Sequence, residues 1–166
     1  MYRKISDFIT DWTYESASTI KLFNEIDNNA MLKPLFEGGR TLGQLTWHIA
    51  ETLPEMIGQV GINFNHQHND KWDEKTTVQE IITMYKKNSD ALLEQIKTWS
   101  ESDLEKEDNM YGETWKRGIT LNILIKHQAH HRGQLTLAMR QMGMKVPGMY
   151  GPAKHEWTEF GMTPLN

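Results

Sequence analysis

One amphipathic stretch decides the fold, and it runs from Thr120 to Met142 as TLNILIKHQAHHRGQLTLAMRQM. At about 100° per residue, Leu124, Leu135 and Met142 fall on one side of a helix. Gly143 follows directly, and glycine is the residue favoured just after a helix C-terminus. The stretch is therefore predicted to form a long helix with one buried side.

Three further segments have the same helical periodicity, and turn residues separate them. Two of them begin with a capping box, in which a threonine is followed three residues later by Gln44 or Glu80. Pro54 lies inside the second segment and is expected to kink it or divide it. The three predicted helices run from about Ile5 to Ile26, from Thr41 to Val60 and from Thr77 to Ser100.

The connections between these helices differ in character. The polar segment from Gly61 to Thr76 is predicted to be an exposed crossover. Between the third and fourth helices, Ser102 and Glu105 favour a short helix, and residues 111–115 are typical of a tight turn or a small hairpin. Four helices with little strand signal predict an all-α protein, a four-helix bundle.

The last 22 residues are rich in glycine and proline. We expect them to form an ordered C-terminal tail that lies over the bundle, with Trp157 and Phe160 as its anchors. Without a linker, a repeat or a low-complexity tract in the chain, residues 1–166 are predicted to form one domain.

Composition excludes several classes of protein. The chain has 166 residues, a formal net charge of −4 and no cysteine. An acidic balance argues against a nucleic-acid binder that works by bulk charge. The missing cysteines exclude disulfide scaffolds, cysteine-ligated metals and a cysteine nucleophile. No apolar run approaches the ~18 residues of a membrane span, so we expect a cytoplasmic protein without a membrane partner.

Two histidines on the fourth helix point to chemistry. His127 and His131 are four residues apart, so they lie on one face, at a spacing that lets two imidazoles share one metal ion. His131 lies on the apolar side, where an imidazole needs a partner, and His130 flanks it. The alternative is a polar patch at the edge of the core, hydrogen-bonded to its neighbours.

A third ligand has to come from another helix. His48 borders the apolar stripe of the second helix and is the best candidate, although a lone histidine there is more often an ordinary core-edge residue. His66 and His68 fall in a polar loop and are expected to be solvated. His155, in the tail, is left open.

The same helix excludes a zinc protease of the His-Glu-x-x-His type. Gln128 stands where that motif has its glutamate. An amide cannot take a proton as a general base.

Two motifs and their order carry a family resemblance. The first is Gly-x-Leu-x-x-His-Ile-Ala-Glu from Gly43 to Glu51, and the second is His-x-x-x-His-Arg-Gly-Gln-Leu from His127 to Leu135, followed by Gly143 and Pro147. In these motifs, and over nearly its whole length, the chain resembles the DinB-like superfamily.

The resemblance implies a four-helix bundle with a long crossover connection. It also implies a divalent metal ion, often nickel or zinc, held by His48, His127 and His131, and a homodimer. Members with assigned activity are mostly thiol-dependent transferases, among them bacillithiol, mycothiol and glutathione S-transferases, together with a maleylpyruvate isomerase.

Three neutral imidazoles around a metal leave a coordination position open for catalysis. A small thiol in that position would attack an electrophile, whereas water would make the protein a hydrolase. A non-catalytic, stress-associated metal-binding protein is the third alternative.

Two charged residues next to these histidines have open roles. Glu51 is predicted either to accept a proton or orient an imidazole, or else to be an exposed charge on a helix flank. Arg132 either binds a substrate carboxylate or packs at a helix surface or dimer interface.

Overall fold

Four helices form the protein in a computed structural model that describes residues 1–163. They are α1 (Ile5–Phe23), α2 (Leu42–Thr52), α3 (Val78–Ile96) and α4 (Arg117–Gln141). Both α1 and α2 pack against α3 and against α4, which places α1 and α2 at opposite corners of the bundle. The predicted four-helix bundle is confirmed. Within the described residues, no helix is long and apolar enough to cross a membrane.

The predicted capping boxes are present at α2 and α3. The Thr41 hydroxyl accepts from the Gln44 backbone N–H (3.2 Å), and the Gln44 side chain accepts from the Thr41 N–H (2.8 Å). Thr77 and Glu80 make the same reciprocal pair at α3. Such pairs satisfy backbone N–H groups that the first helical turn leaves without partners.

Pro54 divides the second predicted helix. Regular α2 ends at Thr52, and the chain continues as a wider π-type turn over Leu53–Ile57 and a 3-10 turn over Gly58–Val60. Proline has no N–H to donate and its ring clashes with the carbonyl one turn back, so the regular ladder stops there.

Several helix ends differ from their predicted positions, and α3 ends at Ile96, four residues before the predicted Ser100. Helix α1 ends at Phe23, before the predicted Ile26, because Asp27 accepts from the Asn29 N–H (2.9 Å) and caps a separate 3-10 turn. Helix α4 begins at Arg117, three residues before the predicted Thr120.

A small hairpin precedes α4. It is one of the two structures predicted for residues 111–115, a tight turn or a small hairpin. Strand β1 (Glu107–Met110) pairs antiparallel with β2 (Glu113–Lys116). The two turn residues, Tyr111 and Gly112, have φ angles of 57° and 85°. Positive φ at both positions suits the right-handed twist of a two-residue hairpin. The short helix predicted before it is a 3-10 turn over Glu101–Glu105.

The crossover between α2 and α3 runs back along α2. Trp47 donates its indole N–H to the Asn69 carbonyl (2.7 Å). Closer to the start of α2, the Trp72 ring lies directly over Gly43, where any side chain would collide with it. The crossover therefore packs along the face of α2 that carries Gly43 and Trp47.

The tail is ordered over the bundle, but one of its predicted anchors is wrong. Phe160 is 67% exposed, whereas Trp157 is half-buried and donates to the Pro152 carbonyl (3.0 Å). The tail is held to α1 instead by Tyr150, whose hydroxyl contacts the Glu15 carboxylate at 2.8 Å. Residues 164–166 of the predicted domain and tail lie outside the described residues.

Candidate metal centre

Three histidine side chains converge between α2 and α4. His48 comes from α2, and His127 and His131 come from adjacent turns of α4. Their Nε2 atoms are separated by 3.1 Å (His48 to His131), 3.3 Å (His48 to His127) and 3.0 Å (His127 to His131). These residues, brought together from separate helices, form a group that could hold a metal ion.

The spacing of these nitrogen atoms fits one cation. Two imidazole nitrogens bound to zinc at about 2.1 Å are about 3.0 Å apart at a right angle and about 3.4 Å apart at a tetrahedral angle. The three observed separations, 3.0–3.3 Å, fall inside this range. Within residues 1–163 no fourth histidine or carboxylate joins the group. Three protein ligands are typical of catalytic metal sites, which keep a position open.

Gln134 orients the ring of His131. The His131 Nδ1 atom lies 2.8 Å from the Gln134 side-chain oxygen, an acceptor, so Nδ1 carries the proton and Nε2 keeps its lone pair. The Gln134 amide nitrogen in turn lies 3.1 Å from Nε2 of His130. His130, predicted as a flanking residue, therefore supports His131 through Gln134.

The surroundings keep the three rings neutral. Burial, followed by the neighbouring His131 and Arg40, lowers the pKa of His48 to about 4. Burial also lowers the pKa of His127 and of His131, and the positive charge of Arg40 adds to the lowering at both. Neutral imidazole is the form that binds a metal ion, so the cluster is ready to bind one at neutral pH.

Glu51 is buried, so its predicted alternative as an exposed flank charge is wrong. The residue is 1% exposed. Its carboxylate lies 2.8 Å from Nε2 of His66 and 3.0 Å from Nδ1 of His68, and it accepts from the Asn69 backbone N–H (2.7 Å). The prediction that His66 and His68 are solvated is also wrong, because the crossover brings both onto this carboxylate. Glu51 thus holds the crossover against α2, one turn from His48.

Arg132 is also buried, which contradicts its predicted place at a surface or interface. It is 2% exposed and pairs with the buried carboxylate of Glu15 on α1. Its guanidinium also donates to the Glu15 carbonyl (2.7 Å) and to the hydroxyl groups of Thr19 (3.0 Å) and Tyr150 (2.7 Å). These partners occupy its two terminal nitrogen atoms, and the remaining Nε is buried without a hydrogen-bond partner among the described residues, so the guanidinium is not exposed to a substrate carboxylate.

Two residues near the cluster were missed from the sequence, Gln134 and Arg40. Gln134 had a usable signal, because a residue three positions after a histidine on a helix lies beside it. The sequence signal for Arg40 was weaker: the residue directly precedes Thr41, which caps α2. His155, which the sequence left open, is exposed in the tail.

Known proteins are similar to this chain in sequence and in fold. YrdA of Bacillus subtilis (strain 168) is 34% identical over 163 residues, which cover 98% of this chain and 97% of YrdA. The crystal structure of a DinB-like protein from Bacillus cereus ATCC 10987 has a TM-score of 0.85 and 34% identity, over 90% of this chain and 100% of that chain.

A more distant structure shares the fold alone. YfiT from Bacillus subtilis, described as a probable metal-dependent hydrolase with an unusual four-helix bundle topology, has a TM-score of 0.68. Its identity is 12%, over 86% of this chain and 90% of YfiT. The sequence profile of the DinB family matches residues 1–164. With the bundle, the converging histidines and this match over nearly the whole sequence, the chain belongs to the DinB family.

Proposed function

We propose that this chain is a metal-dependent transferase that activates a low-molecular-weight thiol for attack on an electrophile. The observation that carries the proposal is the group of His48, His127 and His131, whose Nε2 atoms lie 3.0–3.3 Å apart, with no fourth protein ligand in the described part of the chain. Neutral nitrogen ligands of this kind suit zinc and nickel, the two metals we propose.

The three rings contribute no negative charge, so they leave the full charge of a bound cation in place. Nickel or zinc would supply a Lewis acid that turns a thiol into a thiolate near neutral pH, so that its sulfur can displace a leaving group from carbon. Because the chain has no cysteine, the thiol has to be a substrate. Gln134 holds the His131 ring in the orientation that presents Nε2 to the cation.

The groups around the cluster favour a thiol over water. Hydrolysis is helped by a side chain that takes a proton from water. Gln128 cannot do so, and the carboxylate of Glu51 is already engaged by two histidines and a backbone N–H. A thiol with a pKa of about 8.5 needs no such base once a cation is near. As a proton acceptor Glu51 stays a prediction, and its contacts support a positioning role.

A metal-dependent hydrolase with the same three ligands is the second candidate. The description of YfiT as a probable metal-dependent hydrolase favours it, although YfiT shares only the fold with this chain. The homodimer implied by the family resemblance stays a prediction.

The ligand set is tested by elemental analysis of protein purified without an affinity tag. We expect one equivalent of a divalent metal in the parent protein and its loss in His131→Ala. His155→Ala is the matched control, because His155 is an exposed histidine of the tail and lies outside the cluster. Equal metal in the parent and in His131→Ala would exclude the proposed ligands.

The reaction is tested on the metal-loaded protein with a panel of small thiols and a chromogenic electrophile. We expect conjugation with at least one thiol, abolished in His131→Ala. Ester cleavage without conjugation for any thiol would favour the hydrolase. Stoichiometric metal with neither reaction would favour a non-catalytic metal-binding protein.

A further inference from the structure

A cavity of about 400 Å³ opens beside the histidine cluster, on the side of His131. Its size is within the range of pockets that take small organic molecules, roughly 300–1,000 Å³. Most of the wall is apolar, with Phe36 from the loop before α2, Leu45 from α2 and Leu137 from α4. Phe36 is 69% exposed and Leu137 is 59% exposed, so an apolar ligand would cover side chains that now face solvent.

The loop that supplies Phe36 is held in place by its own backbone. The Leu35 N–H donates to the Arg40 carbonyl (2.9 Å), and the Gly39 N–H donates to the Phe36 carbonyl (3.0 Å). The Phe36 ring lies against Gly39, where a side chain would collide with it. The two ends of the loop also pair, Pro34 with Thr41. The loop therefore presents Phe36 and Arg40 in fixed positions.

Arg40 is the one permanently charged residue that lines this cavity. Among residues 1–163 its guanidinium forms no ion pair. It also lines a second cavity, of about 540 Å³, together with His48 and Asp70. The carboxylate of Asp70 lies 2.9 Å from Nε2 of His68, which engages it.

The position of Arg40 links the cavity to the histidine cluster. Arg40 lines both a cavity that His131 lines and a cavity that His48 lines. Its positive charge contributes to the lowered pKa of all three histidines of the cluster. An unpaired guanidinium at the rim of an apolar cavity is suited to a carboxylate, which it can bind through two parallel hydrogen bonds.

We propose that Arg40 and this cavity form a subsite for a small organic carboxylate with an apolar body. The carboxylate would pair with Arg40, and the apolar body would lie on Phe36, Leu45 and Leu137, next to His131. This inference rests on the function proposed above, in which such a molecule is the electrophile. Arg40 thus takes the role that the sequence offered to Arg132.

The test compares two ligands that differ in charge, 3-phenylpropionate and its neutral primary amide, by isothermal titration calorimetry. We expect the full chain to bind the carboxylate about tenfold more tightly than the amide, the preference that a charged hydrogen bond gives. Arg40→Gln should lose this preference and keep its metal. Arg140→Gln removes the same charge from an exposed position on α4 outside the cavity, and should keep the preference.

The same titration of His127→Ala separates this subsite from the metal. His127 does not line the cavity, so a variant that has lost its metal should still prefer the carboxylate. The inference is wrong if Arg40→Gln keeps the preference, if Arg140→Gln loses it equally, or if it disappears in His127→Ala. A metal-free parent protein, or one without conjugation, would contradict the proposed function and leave the binding preference to be judged by itself.

Discussion

Helix α4 carries two pairs of polar residues that are offset by one position and meet different surroundings. His127 and His131 turn towards His48 at the edge of the bundle, where the Nε2 atoms of the three rings contact one another. Gln128 and Arg132 turn into the core and are 1% and 2% exposed. Two pairs of residues that are one position apart on the same helix thus have different roles. The histidines belong to a group that could hold a metal ion, and Gln128 and Arg132 bond to other helices inside the core.

Gln128 shows how the core pair is completed. Its amide nitrogen donates to the Ile49 carbonyl (2.9 Å) and to the Thr52 hydroxyl (2.7 Å) on α2. Its oxygen accepts from the Tyr85 hydroxyl on α3 (3.1 Å) and the Thr19 hydroxyl on α1 (3.3 Å). One side chain therefore joins all four helices and fixes α4 against α2. The core pair sets the geometry in which the histidines meet.

The largest effect is expected from Arg132→Met, which breaks the buried pair with Glu15. Glu15 is 6% exposed, so its carboxylate would be left buried without a cation. The loss of one partner of a buried ion pair typically costs about 3–5 kcal/mol of unfolding free energy. Urea unfolding followed by circular dichroism measures it. The double variant Glu15→Gln/Arg132→Met should recover part of the loss, because it leaves no unpaired charge.

His127→Ala is the comparison on the other face, measured in the metal-free protein. We expect it to change the unfolding free energy by less than about 1 kcal/mol, since it removes a half-buried ring whose Nε2, within residues 1–163, contacts only the rings of His48 and His131. Similar losses from both variants would contradict the division of α4 into a stabilising face and a binding face.

An intermediate loss of unfolding free energy, between those of Arg132→Met and His127→Ala, is expected from Gln128→Glu, which creates the sequence His-Glu-x-x-His. A carboxylate oxygen would then face the Ile49 carbonyl, now bound by the amide nitrogen at 2.9 Å. Two acceptors cannot bond, so we expect a loss of about 1–3 kcal/mol and no peptidase activity. Gln141→Glu, at an exposed position of α4, is the matched control and should cost little. Peptide hydrolysis by Gln128→Glu would show that this residue reaches the metal cluster.

Helix periodicity was enough to predict the four helices, the capping box predicted the start of α2, and Pro54 predicted that the segment is interrupted before Val60. The histidine cluster followed from the spacing of His127 and His131, from the apolar side of the helix and from the family resemblance. The periodicity, the caps and the spacing of His127 and His131 are local features, because each depends on residues within one or two helical turns. The inclusion of His48, on another helix, drew on the family resemblance.

Long-range contacts could not be predicted in the same way. Arg132 is buried because Glu15, far away in the sequence, provides its counter-charge. His66 and His68 are bound because the crossover turns back along α2 to reach Glu51. Hydrophobic periodicity shows which side of a helix is buried, but it does not identify the polar residues of other elements that bond to that side. The sequence therefore predicted the group of converging histidines better than the residues that hold it in place.

The smallest effect on the unfolding free energy is expected from Gln134→Leu, which tests whether a residue on the binding face itself holds His131 in place. Gln134 is exposed, so the metal-free protein should keep its unfolding free energy within about 0.5 kcal/mol. Without the bond from Nδ1 to the Gln134 oxygen, the His131 ring is free to turn or to change its tautomer. Loss of such a support typically weakens metal binding about tenfold or more. Competition against a chelating indicator measures the affinity, and Gln141→Leu, also exposed on α4, is the matched control. Unchanged affinity in Gln134→Leu would mean that the geometry of the cluster comes entirely from the core pair behind it.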